Sequence, residues 1–244
     1  MIKRSILAAG LLAAFGLAGP TPASTQSQSI TSPYDFVEGS HSFYTFGSAV
    51  FTDRGTLDTG PGSGYAAGLD YTLRISGPFN VALRASYLST DRRVYTDSAT
   101  FADSLTLQAD PMAGLHQVGT ADLSLLLLDA SLRFDVTGPR TWHRIQPYVL
   151  IGAGGVLVAS QANTGEDQLP PDVQLQVRFR DGFTGHVGAG FEVHLSEHFT
   201  VRADARDLLW KLHIPQGFRT PGRIIDVEQW VQSAHLSLGL TFRF

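Results

Sequence analysis

The sequence predicts an all-β fold: an eight-stranded antiparallel up-and-down transmembrane β-barrel, with short turns at one end and long loops at the other. Three observations carry the prediction. Eight segments of the 244-residue chain alternate apolar and polar residues with period two. The connections between them alternate in length. The last segment sets Leu236, Leu238, Leu240, Phe242 and Phe244 on one side and Ser237, Gly239, Thr241 and Arg243 on the other. Strict alternation finishing on an aromatic is how the closing strand of such a barrel reads.

The first element is a leader. Lys3 and Arg4 form a short positive region, followed by an apolar run from Ile6 to Ala18 and small residues at Gly16, Ala18 and Ala23. This reads as a secretory signal peptide over residues 1–23, cleaved after Ala23. The run is too short to span a bilayer as a helix, and Pro20 and Pro22 would end it. Residues 24–40, rich in Ser, Thr and Gln, read as a flexible periplasmic lead-in, and residues 41–244 as the barrel domain.

The strands follow in order. The first runs near Phe43 to Phe51. The second, Tyr65 to Ile75, sets Tyr65, Ala67, Leu69, Tyr71, Leu73 and Ile75 on one side. The third, Phe79 to Tyr87, does the same with Phe79, Val81, Leu83, Ala85 and Tyr87. The fourth, Ser124 to Val136, opposes Leu128, Ala130, Leu132, Phe134 and Val136 to Asp129, Ser131, Arg133 and Asp135. The fifth, Ile145 to Val158, is glycine-rich and its parity is ambiguous. The sixth, Phe183 to Leu195, and the seventh, Phe199 to about Leu208, alternate cleanly, and the eighth enters near Val231. Eight is even, as a barrel with both ends of its chain on one side requires. Ser76-Gly77-Pro78, Thr137 to Trp142 and Ser196-Glu197-His198 read as tight turns. Asp91 to Thr120, Gln161 to Arg178 and Lys211 to Trp230 read as long loops, and Thr52 to Gly64 is intermediate. Short turns on the periplasmic side and long loops outside is the pattern of a bacterial outer-membrane barrel.

Composition narrows the function. Net charge is −4, which argues against a nucleic-acid partner. With no cysteine, disulfides and thiolate chemistry are excluded. After the leader the longest apolar stretch, Tyr148 to Ala159, is broken by Gly152, Gly154 and Gly155, so membrane helices are excluded too. Barrel strands escape this test because every second residue is polar. Of the 18 basic residues only Lys3 and Lys211 are lysines. Genomic base composition explains such a bias, and so does enclosure, where a planar guanidinium pairs better than an ammonium.

With apolar faces outward, the enclosed faces carry Asp70, Arg74, Arg84, Asp129, Arg133, Asp135, Glu192, Arg202, Asp204, Arg206 and Arg243. An eight-stranded barrel is narrow enough for side chains to fill it. An unpaired charge inside would cost several kcal/mol. The expected lumen is therefore a polar plug of paired arginines and carboxylates, with Gly68, Gly188, Gly190 and Gly239 making room for the long side chains. A soluble lipocalin-like barrel would reverse the faces. Aromatic residues near strand ends, such as Tyr65, Tyr71, Phe79, Tyr87, Phe183 and Phe199, fit an interfacial girdle and favour the membrane.

The closing segment resembles the β-signal read by the outer-membrane assembly machinery, with Leu236, Leu238, Leu240, Phe242 and Phe244 as its signal positions. Together with Gln146 to Gly154 and Gly188 to Arg206, similar to the glycine-rich strand and penultimate hairpin of such barrels, the chain resembles the small OmpA-type outer-membrane β-barrels of Gram-negative bacteria over about residues 40–244. The resemblance implies a Gram-negative outer-membrane address, outer-membrane lipid and lipopolysaccharide as surroundings, and a monomer. No peptidoglycan-binding segment follows Phe244, so anchoring to the cell wall is not implied.

Several motifs invite chemistry and are set aside. Gly152-Ala153-Gly154-Gly155 lacks a following helix and a correctly spaced third glycine, so it is no dinucleotide loop. His194/Ser196 and His235/Ser237 bring to mind outer-membrane lipid A deacylases. Parity turns His235 and Ser237 toward the lumen, the other pair sits at a periplasmic turn, and no acid is placed to orient either histidine. His186, Glu192, His194 and His235 lie at different heights, against a shared metal. Arg92, Arg93, Arg178, Arg180, Arg219 and Arg223 at the outer loop bases either meet lipopolysaccharide phosphates or are solvated. The expected function is non-enzymatic and without cofactor, metal or catalytic residues: membrane structure or surface interaction through the loops. The alternatives are a narrow transporter for small or hydrophobic solutes and, further off, a lipid-modifying enzyme.

Overall fold

A computed structural model of the chain describes residues 33–37, 39–55, 58, 60–97, 115–163, 167, 179–213 and 228–244, all within the compact unit Pro33–Phe244. The leader, residues 24–32 of the lead-in, and Arg178, Arg219 and Arg223 lie outside the described residues. Every regular element among those described is a strand: β1 (Tyr34–Phe36), β2 (His41–Thr52), β3 (Gly64–Ser76), β4 (Phe79–Asp97), β5 (Leu115–Asp135), β6 (Arg140–Trp142), β7 (Ile145–Gln161), β8 (Gly182–His194), β9 (Phe199–His213) and β10 (Glu228–Arg243).

Eight of these close a barrel. The order β7-β5-β4-β3-β2-β10-β9-β8 is completed by pairing of β7 with β8, and each neighbouring pair is antiparallel. First and last strands zip together from Ser42↔Arg243 to Thr52↔Ser233, so no sheet edge is left inside the wall. Such closure gives each strand of the wall a hydrogen-bonded neighbour on both sides, the condition for crossing a bilayer.

Alternation decides the faces. On β10, Leu238 is 62% exposed while Arg243 is 6% exposed, and Leu236, Leu240, Phe242 and Phe244 are exposed as well. At the short-turn end the outward aromatics meet in a ring: Phe43 with Tyr71 at 5.1 Å, Phe79 with Phe134 at 5.4 Å, Phe199 with Phe242 at 5.4 Å. The outer wall is the apolar band and the charges look inward. On β7, Gln146, Tyr148, Leu150 and Val156 are buried and Ile145, Val149 and Ile151 exposed, which settles the parity that its glycines obscured.

Three expectations need correction. Residues 137–142 are not a simple tight turn: Gly138, at φ +64°, turns the chain into β6, which then runs into β7. In the stretch read as a loose lead-in, Tyr34–Phe36 form β1 and pair with β6, Tyr34↔Trp142 to Phe36↔Arg140. The outer loops are also shorter than read, because β4 and β5 continue as a paired ladder to Asp97↔Leu115, and β9 and β10 to Glu228↔His213. Beyond the hydrocarbon a strand needs no apolar outer face, so the ladder persists where the alternation that announces it has stopped.

Candidate functional site

The inward residues of the short-turn half build one connected charged cluster. Glu192, on β8, is fully buried. It accepts from Arg133 on β5 through Nη1 and from Arg243 on β10 through Nη2 at 2.8 Å. Arg133 Nε also donates to Asp135 at 2.7 Å, and the other Asp135 oxygen takes Asn80 Nδ2 and Gln146 Nε2, each at 3.0 Å.

One layer higher, Arg206 on β9 donates to Asp70 on β3 at 3.0 Å, to Asp129 on β5 at 3.2 Å and to Asp204 at 3.1 Å. β3 and β5 lie three strands from β9 in opposite directions round the wall, so this one guanidinium spans the lumen. Arg84 on β4 reaches across to Asp204 at 3.3 Å and to Ser237 Oγ at 2.8 Å. Arg202 joins the layers, with Asp70 and Asp204 each at 3.5 Å and its Nε donating to Tyr148 Oη at 2.7 Å.

Aromatic faces support the cations. Arg84 stacks 3.6 Å from the Phe46 centroid and Arg133 3.9 Å from that of Tyr148; Arg202 lies 4.5 Å from the Tyr44 ring. Guanidinium over a ring gains attraction in a desolvated setting. Space for these rings comes from glycine: a Cβ on Gly190 would sit 2.6 Å from Tyr148 Cζ, and one on Gly188 would sit 3.0 Å from Arg206 Cγ.

All eleven charged residues assigned inward by parity lie on the lumen side. Ten share ion pairs: Asp70, Asp129, Asp135, Glu192 and Asp204 with Arg84, Arg133, Arg202, Arg206 and Arg243. That set is charge-neutral, five against five. Arg74 stands apart from them: half-buried, it donates to the Val37 carbonyl at 2.9 Å. The residues that parity did not single out are the uncharged partners Tyr44, Phe46, Thr72, Asn80, Gln146 and Tyr148. Tyr44 and Phe46 were readable from β2, where they share parity with Ser42 and Ser48.

The long-loop half of the lumen corrects the expectation of a polar interior throughout. Val50, Ala66, Leu88, Leu123, Leu125, Leu127, Val156, Leu208, Trp210 and Val231 are buried together there, with Phe179. The sequence does hold a signal for this: at Leu125 to Leu128 and Leu208 to Trp210 both parities are apolar.

The histidine–serine motifs do not assemble as nucleophile and base. Ser237 Oγ donates to Ser48 at 3.2 Å, and Ser196 Oγ accepts the Phe199 amide at 3.1 Å as a turn bond. His194 faces Gln146 at 3.2 Å and Thr200 at 3.4 Å. His186 Nε2 lies 3.0 Å from Ser131 and 3.5 Å from Asp129. Both partners crowd the same nitrogen, whereas a triad needs serine and acid on opposite ones. Among the described residues no three His, Asp or Glu side chains form a metal-holding group. Of the outer arginines, Arg92 is buried and donates to the Ala162 carbonyl at 2.6 Å, Arg93 pairs with Asp58, and Arg180 is exposed.

No curated protein matches the chain in sequence. Among solved structures, the outer membrane protein OprG from Pseudomonas aeruginosa is similar over 86% of this chain and 98% of its own, at 14% identity and a TM-score of 0.51. Neisserial surface protein A is similar over 84% of this chain and 97% of its own, at 13% identity and a TM-score of 0.48. The likeness to OprG shows the fold. A family model described as Outer membrane protein beta-barrel domain matches residues 9–244; with a closed barrel, an apolar outer wall and inward charges, the chain belongs to that outer-membrane β-barrel family.

Proposed function

We propose that this is a non-enzymatic outer-membrane barrel whose lumen is closed along its axis, and whose role is structural or is exercised at the cell surface through the extracellular loops. The observation that carries the reading is Arg206 on β9, bonded at once to Asp70 on β3 and Asp129 on β5, both on the wall across the lumen from it. A cation held that way ties the wall to itself across the space a solute would use. Its release would leave Asp129 without an arginine partner in a confined interior, and breaking such a buried pair costs roughly 3–5 kcal/mol. The apolar cluster above adds a second, dry barrier. Export through cleavage of residues 1–23, folding by the assembly machinery through Leu236, Leu238, Leu240, Phe242 and Phe244, and contact with lipopolysaccharide belong to the same proposal.

Planar-bilayer recording tests it. The purified barrel is expected to give no steady conductance. A stable conductance that changes on Arg206→Ala would overturn the closed lumen. The apolar upper lumen also favours a second reading, passage of small hydrophobic solutes, which predicts solute uptake that depends on the protein and is lost when Leu125 or Trp210 is made polar. Catalysis on lipid predicts a changed lipid A mass on expression, and an unchanged spectrum removes it.

A further inference from the structure

We infer that the short-turn end carries a binding site for a short extended peptide with free termini, between β1 and the turn joining β8 to β9. A cavity of about 350 Å³ opens there, lined among others by Asp35, Phe36, Thr141, Arg144 and Glu197. That volume lies at the lower end of the range for ligand cavities, about 300–1,000 Å³. The inference does not depend on whether the lumen is closed.

Four observations converge on it. First, among the described residues β6 is the strand that pairs with β1, and Phe36 on its other edge faces no described strand. Val37 N donates to Pro139 O at 2.9 Å and Asp35 sits opposite Thr141. By antiparallel alternation, the Phe36 N–H and C=O therefore point away from β6. An open strand edge is a template for an added strand. Second, the cavity holds charges of both signs, and none of Asp35, Glu197 and Arg144 forms an ion pair with a described residue. Third, Thr141 is 3% exposed, and its Oγ1 has no hydrogen-bond partner. A buried hydroxyl left unsatisfied is uncommon and calls for an explanation.

Fourth, the two-residue turn between β6 and β7 is His143-Arg144, with φ of +50° and +66°. Such turns ordinarily recruit Asn and Gly, which tolerate that backbone. Here the chain keeps an arginine in a left-handed conformation, its carbonyl held by the His194 amide at 2.8 Å. Strain retained at a cavity wall points to a use for the side chain. In the bound arrangement the peptide backbone pairs with Phe36, its carboxylate meets Arg144, its ammonium meets Asp35 or Glu197, and a polar group satisfies Thr141. The ligand class is thus a zwitterionic peptide of a few residues reaching the periplasmic face.

The full-length barrel in detergent micelles, titrated with tri-alanine bearing free termini and followed by the amide resonances of Phe36, Thr141 and Arg144, tests the site. Saturable shifts at these three amides are expected. Loss of one charge-assisted contact predicts that Arg144→Gln weakens binding about tenfold or more, and loss of one neutral contact that Thr141→Val weakens it about fivefold. Thr141→Val keeps side-chain shape and Arg144→Gln keeps a polar side chain without its charge, and heat-modifiable gel migration verifies folding. N-acetylated, C-amidated tri-alanine is expected to bind at least about tenfold more weakly. Absence of saturable shifts with the free peptide overturns the inference, as does wild-type affinity in both variants or equal affinity for the capped peptide.

Discussion

Glu192→Gln separates a dry lumen from a wet one. The carboxylate is fully buried and takes Arg133 on one oxygen and Arg243 on the other. Glutamine keeps one acceptor, but its amide nitrogen turns a donor toward Arg243 Nη2, and the network gains an uncompensated positive charge. Removing one partner of a buried pair costs roughly 3–5 kcal/mol, between a hundred- and several-thousand-fold in the folded population at about 1.4 kcal/mol per tenfold. Urea unfolding in lipid vesicles, followed by tryptophan emission, measures it. The companion Glu192→Gln/Arg243→Met removes the stranded cation together with its acid. Contacting residues couple by about 0.5–3 kcal/mol, so the double variant is expected to recover a sizeable part of the loss. If Glu192→Gln unfolds within about 0.5 kcal/mol of wild type, Arg133 and Arg243 are hydrated in the native state, and the argument for a sealed lumen fails.

Other perturbations probe the glycines, the outer wall and the periplasmic end. Gly190→Ala sets a Cβ 2.6 Å from both Ala203 O and Tyr148 Cζ, and overpacking of this kind is expected to lower stability by about 1–3 kcal/mol in the same unfolding assay; a neutral result would show that Tyr148 moves freely. Asp207 points outward on β9, opposite Ala234 of β10 and Val187 of β8, and it accepts Gln232 Nε2 at 2.6 Å. Near the edge of the apolar band a charge costs up to about 1 kcal/mol, so Asp207→Leu is expected to stabilise the barrel in vesicles by that order, and destabilisation would contradict it. Arg74→Ala frees the Val37 carbonyl without stranding an acid; it is expected to speed proteolysis around residues 33–40 while changing global stability by less than about 1 kcal/mol. Equal cleavage rates would show that β1 is held by other means.

Where the sequence was legible, one physical constraint acted on each face of a strand. Between the aromatic ring at Phe43, Phe79, Phe134 and Phe199 and the outer rim, lipid requires apolar residues outside and the narrow interior admits polar ones. Period two then reports both faces at once. The eight strand cores and the inward side of Asp70, Arg84, Glu192 and Arg202 follow from that alone. Outside the hydrocarbon the outer constraint lapses. Asp91 and Arg93 could face outward as readily as any apolar residue, and the ladder running to Asp97↔Leu115 left no alternation to read. β1 and β6 were hidden for a different reason: each has three residues, too few for any period, and only their mutual pairing makes them strands.

Partner identity inside the lumen depends on the staggered stacking of strands that are distant in sequence. Parity puts Arg206 inward but is silent on whether its guanidinium meets Asp70, Asp129 or neither, because the answer lies in the shear of a closed sheet and the space left by Gly188. The upper lumen was masked by the same rule that revealed the lower one. Where Leu125 to Leu128 makes both faces apolar, the alternation vanishes, and an apolar interior looks like a lapse in the pattern. It is a second kind of filling: a narrow lumen tolerates either fully paired charge or fully apolar packing, since a half-satisfied mixture costs more than either. In this barrel the short-turn half is filled mainly by paired charge and the long-loop half mainly by apolar packing, with His235 and Ser233 beside Leu127 and Trp210 at the seam. On the closed-lumen reading we propose, a solute crossing it would have to replace ion pairs in one half and apolar contacts in the other.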